Sequence, residues 1–127
     1  RLDVTDWSRA ADAVEETVRH SAFVVVATKI PPAGLETEFT DALARLTHRH
    51  TVLVASATDP DEIRARNGRE DAESVFLAAS AALAERSDAA GAADVRLAGA
   101  LTLQASAGLL PARTADRYIE LKKSGRL

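Results

Sequence analysis

Thr51-Val52-Leu53-Val54-Ala55-Ser56-Ala57 is apolar at nearly every step. Strict alternation would mark a strand with one wet face, whereas an unbroken run of this length marks a strand buried on both faces, as in parallel sheets. Upstream, Ala22-Phe23-Val24-Val25-Val26-Ala27-Thr28 has the same character and predicts a second such strand. Pro31-Pro32 then prevents any ladder from continuing. Leu101-Thr102-Leu103-Gln104-Ala105 predicts a shorter third strand.

The segments between these runs read as helices. Thr5 is a suitable N-cap for a helix starting at Asp6, with Asp6 in the positive first turn. Trp7, Ala10, Ala11, Val14 and Val18 then form one apolar face ending near His20. Leu35, Phe39, Leu43 and Leu46 step by four and three and predict a second amphipathic helix to about His48. Asp59-Pro60 ends the second strand, and Asn67-Gly68 marks a turn. A long Ala-rich helix follows from about Glu70 to Ala98, with a buried stripe of Ala72, Val75, Phe76, Ala79, Leu83, Ala90, Ala93 and Leu97. Gly91 and Ser87-Asp88 weaken its middle, where a kink would fit. Pro111 suits the first position of a last helix, continued by Ala115, Tyr118, Ile119 and Lys122 to a stop at Gly125. Helix and strand alternate strictly. That order implies right-handed crossovers and an α/β, three-layer, Rossmann-like fold, with a small parallel sheet of about three strands flanked by helices.

Composition sets the outer limits. A chain of 127 residues has room for one domain. With 46 % hydrophobic and 28 % charged residues it is neither a disordered tail nor a fibrous repeat. The net charge of −3 and the absence of a clustered basic excess argue against nucleic acid as a partner. No apolar run approaches the roughly 20 residues that span a bilayer, and no amphipathic basic helix faces a membrane surface. There is no Cys, which excludes disulfides, thiolate nucleophiles and Cys-based metal sites and agrees with a cytoplasmic location. The chain lacks Met and opens on Arg1, which reads as a piece of a longer protein.

In open parallel sheets, ligands gather beyond the carboxyl ends of the strands. Those ends carry Thr28 and Lys29, then Ser56, Thr58, Asp59, Asp61 and Glu62, then Ser106. Thr28, Lys29, Thr58, Asp59 and Ser106 are therefore the candidate ligand or partner edge. Hard oxygens from Thr, Asp and Glu suit Mg²⁺, but the same residues shape turns and caps. His48-Arg49-His50 has no third ligand at a diagnostic spacing and reads as a solvated strand entry at the opposite edge. Neither a glycine-rich phosphate loop nor a nucleophile elbow is present. Arg117, Lys122, Lys123 and Arg126 read as a solvated face and last-turn cations facing the helix dipole.

Three segments, taken together, carry a resemblance. Arg49-His50-Thr51-Val52-Leu53-Val54-Ala55-Ser56 with Asp59-Pro60, then Asp71-Ala72-Glu73-Ser74-Val75-Phe76, then Asp116-Arg117-Tyr118-Ile119-Glu120-Leu121-Lys122 with Gly125-Arg126-Leu127 resemble successive signatures of the family called domain of unknown function fifty-eight. That family is similar to von Willebrand factor A domains, and its members often accompany MoxR-type AAA+ ATPases. The resemblance implies the C-terminal half of such a domain, spanning residues 1–127, with upstream transmembrane helices as an anchor in the full protein. In metal-binding relatives an Asp follows the strand that here ends at Ala27-Thr28. This chain has Lys29 there, a cation that would repel a divalent ion, so no metal or other cofactor is expected.

The resulting expectation is a protein-interaction module, with a MoxR-type AAA+ ATPase as the implied partner and no catalytic activity. The contrasting expectation is a small-ligand or nucleotide-binding enzyme fragment using Lys29, Thr58 and Asp59. The strand Ala22–Thr28, deprived of an upstream neighbour, is expected to form an apolar edge through which two copies can pair.

Overall fold

A computed structural model describes residues 6–31, Gly34, 37–58 and 72–127, with backbone alone at 72–78, 80–81, 84–85 and 87–88. Thr5, Leu35, Asp59-Pro60, Asp61, Glu62 and Asn67-Gly68 lie outside the described residues, as do the side chains of Ala72, Val75 and Phe76. The elements follow the order read from the sequence: α1 (Trp7–Thr17), β1 (Phe23–Ala27), α2 (Thr37–Thr47), β2 (Thr51–Thr58), α3 (Ala72–Leu97), β3 (Leu101–Ser106) and α4 (Leu110–Lys123). The three strands form a parallel sheet in the order β1-β2-β3. This is a small Rossmann-like, three-layer α/β arrangement.

Register decides which residues share a face. Val24 lies beside Val52 and Val26 beside Val54. These four pack with Ala11, Phe39, Leu43, Leu46, Ala92 and Val95 in one core beneath α1, α2 and the end of α3. The opposite face carries Phe23, Val25 and Ala27 beside Thr51, Leu53 and Ala55, with Leu101 and Leu103 beyond. There α4 covers β2 and β3, burying Leu53 and Leu121. β2 is buried on both sides as its sequence implies, whereas β1 is not: Val25 is 41 % exposed and Ala27 is exposed. The two strands share a composition but differ in position: β1 stands at the end of the sheet, with no strand on its outer side among the described residues.

The helices show where periodicity misleads. Asp6 is the N-cap of α1 rather than a first-turn residue, its Oδ1 accepting the Arg9 N–H at 3.0 Å. Trp7 packs its ring against Phe39 at 4.6 Å, and Ala11 is buried while Ala10 is exposed. In α2, Phe39, Leu43 and Leu46 are buried as read, joined by Ala42. Arg45 ties α2 to α1 by donating to Asp12 at 2.6 Å and Glu15 at 3.0 Å. These two hydrogen bonds raise its already high pKa.

α3 runs through Gly91 without a break. A Cβ at Gly91 would stand 2.4 Å from the Pro31 carbonyl oxygen, so glycine permits the helix to touch the loop after β1. The stripe expected on α3 is displaced. Ala79, Leu83, Ala90 and Leu97 are exposed, while Gly91, Ala92 and Val95 are buried. Ala on every side gives the helix no directional signal, so this close approach orients it. On α4, Ala115, Tyr118, Ile119 and Lys122 are exposed, while Leu110, Thr114 and Arg117 are half-buried and Leu121 is buried. At its end, Gly125 takes φ +77° and Arg126 N–H bonds back to the Leu121 carbonyl at 3.0 Å. No described helix is long and apolar enough to cross a membrane.

Candidate functional site

The carboxyl edge of the sheet gathers Thr28, Lys29, Thr58 and Ser106 but does not bring them level. Ala27 is in register with Ala55, which sets Thr28 level with Ser56, so Thr58 and its neighbour Ser106 lie two residues beyond Thr28. That is about 7 Å at strand rise. Thr28 donates its N–H to the Ala55 carbonyl at 3.0 Å and its hydroxyl to the Lys29 carbonyl at 3.3 Å, and Lys29 is exposed. Ser106 accepts the Leu109 N–H at 3.0 Å, which starts the turn into α4. Ser56 is buried. Asp59, the remaining member of this edge, lies outside the described residues. Among the described residues no three metal-binding side chains cluster.

The amino edge is more developed than the sequence suggests. His50 is only 5 % exposed, contrary to its reading as part of a solvated strand entry, while His48 and Arg49 are exposed. Its ring sits between the starts of β1 and β2. Nδ1 accepts the Ala22 N–H at 3.0 Å, next to the first ladder bond from Thr51 N–H to the Ala22 carbonyl at 3.0 Å. An accepting Nδ1 leaves the proton of the neutral ring on Nε2. That nitrogen is buried and has no partner among the described residues. Burial of a histidine at this position is set by β1, some 28 residues away, and no local pattern announces it.

Beside His50 a groove of about 540 Å³ opens between the entrance to β1, the turn from α2 into β2, and the C-terminal turn of α4. His48, Arg49, Lys122 and Arg126 line it, along with Phe23 and Tyr118, and among the described residues no acidic side chain does. Lys122 Nζ lies 5.6 Å from the centre of the Tyr118 ring, which packs on Phe23 at 5.5 Å. Arg49 donates to the Arg19 carbonyl. Segments 49–56 and 116–127 thus meet here, although 59 residues lie between them.

The free edge of the sheet begins at the same place. Ala22 accepts from Thr51 and Thr28 donates to Ala55, so the even-numbered residues of β1 bond to β2. Phe23, Val25 and Ala27 therefore turn their N–H and C=O groups away from β2, and no strand pairs with them among the described residues.

The fold and these features define a Rossmann-like α/β module with a bare strand edge leading into a basic groove. The chain matches no family model, no curated protein and no solved structure.

Proposed function

We propose that this chain is a protein-interaction module rather than an enzyme, and that it binds a partner by strand addition along β1. The observation that carries the reading is the edge of Phe23, Val25 and Ala27, which no strand pairs with among the described residues, with Val25 exposed beside it. In strand addition the main chain supplies the bonds and side chains at alternate positions supply the choice of partner. The motif resemblance supports a von Willebrand factor A-like setting. On that resemblance a MoxR-type AAA+ ATPase is the proposed partner, and the Cys-free composition fits a cytoplasmic module tethered through an upstream region. A second copy can occupy the same edge when no other partner is present.

Val25→Pro provides the test. Proline at this position removes only an outward N–H and leaves the β1–β2 ladder intact. Calorimetric titration of the chain with a MoxR-type ATPase should give a complex that the proline variant loses without losing its fold. The competing reading, a small-ligand enzyme fragment at the carboxyl edge, makes a different prediction. If nucleotides or divalent metals raise the melting temperature, and Lys29→Ala or Asp59→Ala abolishes the rise, the interaction-only reading is wrong.

A further inference from the structure

We infer that the segment accepted by β1 is extended and bears acidic side chains at the end lying over the amino end of β1, where they enter the basic groove. This rests on the strand-addition reading above and names the chemistry of its partner. Phe23 makes the link, because it belongs both to the outward-facing set of β1 and to the groove lining. Arg49, Lys122 and Arg126 line the groove that Phe23 also lines, so the end of a strand paired along Val25 toward Phe23 comes beside these cations.

Among the described residues, the groove gathers its cations with no carboxylate side chain in its lining. Arg45 is held by Asp12 and Glu15, and Arg117 pairs with Glu120 at 3.5 Å. Arg49, Lys122 and Arg126 have no carboxylate within salt-bridge distance among the described residues. The C-termini of α2 and α4 approach the groove and attract cations, but each macrodipole amounts to about half a charge. Two of them leave three cations largely uncompensated. The whole chain carries −3, so the positive groove runs against its overall charge. The buried His50 Nε2–H beside it is a donor without an acceptor among the described residues.

A second copy suits this end poorly. Antiparallel pairing centred on Val25 would set Lys29 of the second copy opposite Ser21, at the mouth of the groove, adding a cation to cations. An acidic partner segment reverses that sign.

Fluorescence anisotropy at low salt with synthetic peptides tests the inference. The peptides carry an alternating Thr/Val segment with a glutamate triplet before or after it, and matched versions carry lysines. One of the two glutamate peptides, whichever direction fits, should bind about tenfold tighter than its lysine counterpart. The preference should vanish in the exposed double variant Lys122→Glu with Arg126→Glu, and all binding should vanish in Val25→Pro. Equal binding of glutamate and lysine peptides, lost in Val25→Pro, overturns the acidic partner and leaves strand addition standing. Glutamate binding that survives Val25→Pro overturns strand addition itself. Stabilisation by inorganic phosphate with no peptide binding would instead make the groove a small-anion site and overturn the inference.

Discussion

Gly91 and His50 each take their role from a distant part of the chain. By helix propensity alone Gly91→Ala should help, since alanine is favoured over glycine by about 1 kcal/mol within a helix. The added Cβ would meet the Pro31 carbonyl at 2.4 Å and Ile30 Cγ2 at 3.2 Å. Backbone cannot yield as a flexible side chain does, so the variant should be less stable by about 2 kcal/mol, as measured by urea denaturation. Stability equal to or above the parent would mean that α3 does not rest on this loop. The glycine was visible in the sequence, but only as a helix weakness. Its use depends on the loop after β1, some 60 residues earlier. The same holds for His50, where neighbours of opposite exposure hid a buried acceptor for the Ala22 amide.

At the scale of elements, what could be read depended on contrast along each segment. β2 and α2 were legible because large apolar side chains occupy positions that polar ones could have held: Val52, Leu53 and Val54, or Phe39, Leu43 and Leu46. α3 offers no such contrast, being alanine on several sides, and α4 places Tyr118 and Ile119 outside the face that Leu121 buries. Paired truncations check these orientations. Val95→Ala should cost about 2 kcal/mol, while Leu97→Ala, at a site 86 % exposed, should stay within about 0.5 kcal/mol. On α4, Leu121→Ala should cost about 2–4 kcal/mol and Ile119→Ala again about 0.5 kcal/mol or less. If either order is inverted in chemical denaturation, the helix is rotated from the orientation described. β1 completes the comparison. Its run of valines resembles that of β2, and local sequence does not distinguish an end strand from a central one.

For the molecule as a whole, the bare edge and the basic groove make opposing demands that salt can separate. Two copies joined through β1 would gain main-chain bonds across Phe23, Val25 and Ala27 but would bring Lys29 of each to the other's basic end. An acidic segment gains the same bonds together with favourable charge. Sodium chloride screens both effects, with a Debye length falling from about 10 Å at 0.1 M to about 3 Å at 1 M. Self-association measured by light scattering should therefore strengthen as salt rises, while capture of a glutamate-ended peptide weakens over the same range. Val25→Lys, which places a charge on the exposed side of the edge strand, should suppress self-association at every salt concentration. A chain that stays monomeric at high concentration in all of these conditions would remove the second copy as an occupant of the edge. A dimer that salt weakens would show that its two chains do not pair antiparallel about Val25, because that register sets Lys29 against the basic end.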